Sequence, residues 1–277
     1  MGSEMCIRDS FHGRDFPPDP GLFTWRSWLF GIEERNATHV QVNRDLFHEF
    51  AAMLDAAHWD VALLQELPPR WAYRLAAHCG ADMQLTLTSR NWLRTIRRPV
   101  SQCLPDLMGA WEGGANAILA RGGLRSRLGS EEVVLRGPPE RRIVTFARLD
   151  PGLVVGNIHA SGPSPLAAED TRAAAEAGVD FAGDDPLILG GDFNVTPDES
   201  DVYDELDRRF GLGPPTGRHV IDHLLARGLD VVEPPAAWPD DAREVRAGDR
   251  AIRLSDHAPV QARFRRSRRR LGPDANG

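Results

Sequence analysis

Leu187-Ile188-Leu189-Gly190-Gly191-Asp192-Phe193-Asn194-Val195-Thr196-Pro197 is the stretch on which the reading of this chain turns. Three aliphatic residues predict a buried strand, two glycines allow a sharp change of direction, and Pro197 stops further ladder pairing. In extended backbone, residues i and i+2 point the same way, so Asp192 and Asn194 would face one spot at the strand's end. A carboxylate and a carboxamide so placed suit a hard cation such as Mg2+ together with a phosphate or a water. A turn in which the two side chains satisfy local backbone groups accounts for this stretch equally well on its own.

Working outward, the neighbouring segments read as alternating strands and helices. Leu166 to Phe181 is Ala/Glu-rich and helical, and a short helix is expected near Val202 to Phe210. Val220 to Leu225 predicts a strand, Val231 to Arg250 a Pro-rich loop, and Ala258 to Phe264 a final strand with alternation. Upstream, Arg142–Leu149 and Leu153–His159 predict a hairpin turning at Asp150-Pro151-Gly152. Asn116–Ala120 and Glu132–Leu135 predict further strands, and Thr88 to Gly113 reads as irregular. Val61–Leu64 is a buried strand ending in Gln65-Glu66, followed by a helix near Arg70 to His78. Leu46, Phe47, Phe50, Met53, Leu54 and Ala57 recur at helical spacing between Val40 and His58, as in a helix packed on a sheet. Alternating elements with several hairpins predict a mixed α/β layered fold in one domain.

The totals agree with such a domain. The chain has 277 residues, with 42% hydrophobic and 26% charged side chains. No apolar run approaches the roughly 20 residues needed to cross a bilayer. Cys6, Cys79 and Cys103 have neither disulfide-framework nor zinc spacing, which fits a reducing, cytoplasmic setting. The net charge of -7 excludes a globally basic nucleic-acid surface, although cations bound at an acidic site would neutralise some of it. All 33 basic side chains are Arg.

Five short elements place polar groups at the end of an apolar strand: Leu64-Gln65-Glu66, Asn157-Ile158-His159, Gly191-Asp192-Phe193-Asn194, Ile221-Asp222-His223 and Leu254-Ser255-Asp256-His257. Each has a bland alternative. Glu66 could be a solvated strand end, His159 a satisfied core histidine, and Asp256-His257 a surface turn. Asp222, between Ile221 and Leu224, is harder to dismiss, because a buried carboxylate must be paired. One shared site explains all five more simply than five coincidences.

This order of motifs resembles the endonuclease/exonuclease/phosphatase superfamily, the deoxyribonuclease-I-like fold, over roughly Phe47 to Phe264. Gly-Asp-Phe-Asn and Ser-Asp-His carry most of the resemblance. It implies a four-layer α/β sandwich in which two packed mixed β-sheets are flanked by helices, with the site at one edge. It implies Glu66, Asp192 and Asp256 as metal-site carboxylates for Mg2+ or Mn2+. His257 would be the catalytic histidine, with Asp222 fixing its tautomer. Asp192 would activate or position water, Asn194 would orient that water or hold a phosphate oxygen, and His159 would bind phosphate. Asn116 is either a weaker substrate contact or a strand-capping residue. The implied reaction is hydrolysis of a phosphate ester by direct water attack, with DNA placed ahead of inositol or lipid phosphates as substrate. The protein is expected to be a monomer. A catalytically impaired binding module, or a zinc hydrolase of unrelated fold, are the competing readings. Intact Glu66, Asp192, Asn194, Asp222 and His257 argue against the first, and the lack of a paired-His helix motif against the second.

The amino terminus departs from the family pattern. Met1 to Ser10 has no clear period and reads as a non-native leader, the domain proper running over residues 11–265, with an Arg-rich disordered tail at 266–277. Family members begin with a strand ending in Thr-Trp-Asn, whereas Phe23-Thr24-Trp25-Arg26 puts Arg26 where Asn belongs. The expectation is that Met5 to Asp9 occupies that strand's slot, with Asp9 at the Asn position. Trp25, Trp28, Trp92 and Trp111 could stack on bases but are better explained as core packing.

Overall fold

Apolar alternation along the strands sorts the core into three slabs. The computed structural model describes residues 2–9, 46–88, 99, 113–121, 126–138, 140–149, 151–162, 164–247, 250–255 and 257–267, with backbone alone at 2–9, 126–128, 240, 247 and 250–253. In chain order the first elements are β1 (Gly2–Asp9), α1 (Phe47–Ala56), β2 (Val61–Leu67), α2 (Ala72–His78), β3 (Asp82–Leu87) and β4 (Ala115–Ala120). There follow β5 (Ser126–Arg136), β6 (Arg142–Leu149), β7 (Leu153–His159), α3 (Ser164–Ala182), β8 (Leu187–Asp192) and α4 (Val202–Phe210). The last are β9 (Asp222–Arg227), β10 (Leu229–Ala237), a 3-10 turn at Asp240–Arg243, β11 (Glu244–Ala247), β12 (Arg250–Arg253) and β13 (Val260–Arg266).

Among the described residues there are two main sheets, ordered β10-β13-β1-β2-β4-β3 and β5-β6-β7-β8-β9, plus the β11-β12 hairpin. Both are mixed: β1 runs parallel to β2 and β7 parallel to β8, while the other neighbours are antiparallel. Val61, Leu63, Ile118, Val155, Ile188, Leu224, Val260 and Phe264 fill the space between the sheets. The alternate residues of β2 and β4 (Ala62, Leu64, Ala117, Leu119) pack under α1 and α2 against Phe50 and Trp71. The outer face of the second sheet (Val154, Ile158, Leu187, Leu189) packs under α3 and α4. The result is a four-layer α/β/β/α sandwich. β8 is buried on both faces, which is why it reads as an unbroken apolar run ending in small residues.

Local chemistry sets the boundaries. α4 carries Asp204 and Glu205 in its first turn and Arg208 and Arg209 in its last, complementing the helix dipole, and ends at Gly211 with φ +62°. The hairpin between β6 and β7 closes through Gly152 N–H donating to Leu149 O at 2.7 Å. Gly2–Asp9 forms β1 between β2 and β13, with Asp9 in register with Gln65.

Two expectations need correction. The Val231 to Arg250 segment is not a loop: it holds most of β10, the 3-10 turn and β11. β10 is an edge strand with two register shifts, and such a strand tolerates Pro234 and Pro235 because it need not donate on its free side. β3, absent from the expected strands, pairs with β4 from Asp82↔Ala120 to Leu87↔Ala115. α1 ends at Ala56, short of the expected His58, and positions 40–45 lie outside the described residues, as do most of Thr88 to Gly113 and the tail at 268–277. No helix among the described residues is long and apolar enough to cross a membrane.

Candidate active site

The site grows out of the same alternation that fills the inter-sheet core. On β7 the inward face runs Leu153, Val155, Asn157, His159; on β8 Ile188, Gly190, Asp192; on β9 Ala226, Leu224, Asp222. Each series is apolar in the middle of the sandwich and turns polar at the same edge. Register fixes the neighbours, since His159 pairs with Asp192 and Asp192 with Asp222. His257 enters from the loop just before β13. Ligand atoms of Asp192, Asp222 and His257 all lie within 4.8 Å of one another.

Distances within the cluster are short. His257 Nδ1 is 3.4 Å from Asp222 Oδ2, and His159 Nε2 is 3.7 Å from Asp192 Oδ2. Asn194 stands at φ +51°, a left-handed conformation that Asn tolerates better than most residues. From there its backbone N–H donates to Asp192 Oδ1 at 2.8 Å, and its Nδ2 donates to Asp192 Oδ2 at 3.2 Å and to Ala160 O at 3.1 Å. Asn194 therefore locks both oxygens of Asp192. The Asp192 side chain is 3% exposed and that of Asp222 8%, whereas His257 is 27% exposed and reachable from outside.

Two buried carboxylates side by side repel each other and are costly to desolvate unless a cation sits with them. An imidazolium or a divalent ion supplies that charge, and the carboxylate oxygens suit a hard cation such as Mg2+ or Mn2+. The negative field reaches the layer below: burial pushes the Tyr203 phenol well above its ordinary value, and Asp192 and Asp222 add to the shift. Burial pushes His223 down to about 4 and keeps its ring neutral. His223 Nδ1 accepts from Thr216 N–H at 3.0 Å, and the ring packs edge-on to Tyr203 and Phe193.

Glu66 comes from the other sheet. The β2–β4 register shifts between Leu64 and Leu67, so that Gln65 and Glu66 together oppose Asn116. This bulge holds Glu66 at φ +49° and half-buried. Asn116 is 1% exposed and lies between the sheets, its amide donating to Ile143 O at 3.4 Å; the structure does not bring it to the surface of the cleft. Asp256 lies outside the described residues, as do Trp25, Trp28, Trp92, Trp111 and the 23–26 stretch.

Two supporting residues have no role in the sequence reading, although Asn157 stands in one of its five polar elements. Asn157 is fully buried and bonds across the sheets to Gln65. Asp170 of α3 accepts from Ser161 N–H at 2.9 Å, pinning the turn after His159, and forms an ion pair with Arg136, Nε to Oδ1 2.9 Å. A signal existed for both. Each is a polar residue on an otherwise apolar face, Asn157 after Leu153 and Val155, Asp170 among Ala167, Thr171 and Ala174.

The family model described as "Endonuclease/Exonuclease/phosphatase family" matches residues 36–257. Among curated proteins, none matches this chain. An endonuclease/exonuclease/phosphatase family protein from Bacteroides thetaiotaomicron superposes with TM-score 0.64 at 15% identity, covering 97% of this chain and 99% of that one. A mannosyl-6-phosphatase from the same organism gives TM-score 0.59 at 16% identity, over 79% of this chain and 90% of that one. A humanized D. rerio TDP2 gives TM-score 0.57 at 16% identity, over 95% and 99%.

Proposed function

Because the chain belongs to the endonuclease/exonuclease/phosphatase family, we propose that the Asp192, Asp222, His257 rim hydrolyses a phosphate ester by direct attack of water. The observation that carries the reading is the convergence of these three side chains, with His159 and Asn194, on one sandwich edge. Glu66, Asp192 and Asp256 would hold Mg2+ or Mn2+. Bound there, the ion would neutralise phosphate charge and polarise the ester.

The chain's own groups do the rest. Asp192, fixed by Asn194, accepts a proton from the attacking water as its oxygen bonds to phosphorus. Asp222 orients His257 through Nδ1, leaving Nε2 to meet the phosphate and to protonate the departing ester oxygen as its bond to phosphorus breaks. His159, beside Asp192, offers a second imidazole to the phosphate oxygens. Both amide hydrogens of Asn194 are directed at protein oxygens, which supports the role of orienting Asp192 over that of gripping phosphate.

The preferred substrate is a phosphodiester, DNA first. Similarity to a protein named as a mannosyl-6-phosphatase favours a second reading, a phosphomonoesterase of the same mechanism, and inositol or lipid phosphates belong with it. The test is incubation with Mg2+ or Mn2+ and plasmid DNA, abasic oligonucleotide, inositol polyphosphate, mannose 6-phosphate and a generic phosphodiester. Turnover of at least one, abolished by EDTA, is expected. Turnover indifferent to EDTA refutes the metal mechanism, and no turnover across the set favours a binding module.

A further inference from the structure

We infer that Asn157 is the residue that positions Glu66 against the rest of the site, by clamping the β2 bulge from the opposite sheet. This rests on the metal reading of Glu66 given above. Asn157 continues the inward face of β7, where Leu153 and Val155 precede it, and a valine would fill such a place. An amide buried to 0% exposure is tolerated only when its hydrogen bonds are made. All three of its bonds land on one spot. Its Oδ1 accepts from Gln65 Nε2 at 2.6 Å, and its Nδ2 donates to Leu64 O at 3.0 Å and Ala117 O at 2.9 Å.

That spot is the root of the bulge. Leu64 and Ala117 form the last regular register pair of β2 and β4 before the shift, and Gln65 is the first of the two residues that oppose Asn116. The Leu64 carbonyl belongs to the peptide that leads into Gln65. Holding it, together with the Gln65 side chain, fixes the direction in which the chain enters Glu66 at φ +49°. No glycine eases this left-handed conformation, so something outside β2 must hold it. Asn157 also stands two residues before His159 on the same face of β7, and His159 pairs with Asp192. One side chain therefore ties the sheet that carries Glu66 to the sheet that carries His159 and Asp192. It sets the gap across which an ion shared by Glu66 and Asp192 would sit.

The test is Mn2+ binding to the full chain without substrate, followed by the electron paramagnetic resonance signal of free Mn2+. Wild type, Glu66→Gln, Asn157→Leu and the double variant are compared, with folding checked by circular dichroism. Supports of metal ligands are worth about 10- to 100-fold in affinity, so Asn157→Leu should raise the Kd by about 10-fold. The double variant should bind no more weakly than Glu66→Gln, because the clamp acts only through that carboxylate. If Asn157→Leu does not fold, Gln65→Met removes one bond and should raise the Kd by about threefold on the scale of a single lost hydrogen bond. Wild-type affinity in the folded Asn157 variant, or losses that multiply in the double variant, would overturn the inference alone. Undiminished Mn2+ binding by Glu66→Gln would overturn the metal assignment, and the inference with it.

Discussion

Replacing Gly191 by alanine strikes the element that aims the site. A Cβ at Gly191 would lie 1.9 Å from Ile158 O, 2.9 Å from Ile158 C and 3.0 Å from Ile158 N, all backbone atoms of the neighbouring strand β7. Ile158 and Gly191 are register partners, so the clash can be relieved only by parting β7 from β8 by more than about 1 Å, beyond what a ladder hydrogen bond tolerates. The residue also sits at φ +140°, where a side chain is strained whatever the space. Overpacking costs about 1–3 kcal/mol and backbone strain about 1–3 kcal/mol, giving about 4 kcal/mol in all. At roughly 2 °C per kcal/mol for a chain of this size, Tm should fall by about 8 °C. Gly183→Ala is the control, since its φ is +58° with nothing within 4 Å of the added Cβ; it should cost about 1 kcal/mol. Urea unfolding of both variants decides the matter. A Gly191→Ala loss within 1 kcal/mol of the control would refute the claim that this close approach of β7 and β8 is obligatory. The next register pair is His159↔Asp192, so hydrolysis should fall with stability.

Two further outcomes follow from the site. Folding lowers His223 from its ordinary 6.5 to about 4, so between these values the unfolded chain holds more protons and stability falls as pH falls, by up to about 3 kcal/mol. His223→Phe should flatten the slope of unfolding free energy between pH 6.5 and 4, whatever its constant cost from losing the Thr216 contact; an unchanged slope would contradict the neutral buried ring. Asp192→Ala and His257→Ala should each lower kcat by about 10^3-fold or more, and the double variant should do little worse, because both serve one step. Multiplying losses in steady-state kinetics would place them in separate events.

How much of this was legible from residues alone depended on where the information lay. β8 and α4 were readable because periodicity, charge order and a terminal glycine are local, and Val202–Phe210 has the expected bounds. β3 is hard to read although Met83, Leu85 and Leu87 alternate with Asp82, Gln84 and Thr86 and Gly80 turns at φ +61° just before them, because six residues close behind a helix make a weak pattern. β10 reads as a loop because Pro234 and Pro235 are poor strand formers, and nothing local says that the strand lies at an edge. Asp192, Asp222 and His257 are legible as members of three of the five polar elements, and their roles come from the family resemblance. The left-handed bulge at Glu66 carries no glycine or asparagine to announce it. The Asn157–Gln65 bond joins positions 92 residues apart, a separation that no local pattern encodes.

A crystal soaked in Mn2+ and inorganic phosphate, with anomalous scattering recorded for the metal, addresses the central claim most directly. The account expects the Mn2+ peak between Glu66 and Asp192, and the phosphate between that peak and the His257 and His159 imidazoles. Mn2+ bound away from these carboxylates, or phosphate seated on another face of the sandwich, would contradict it.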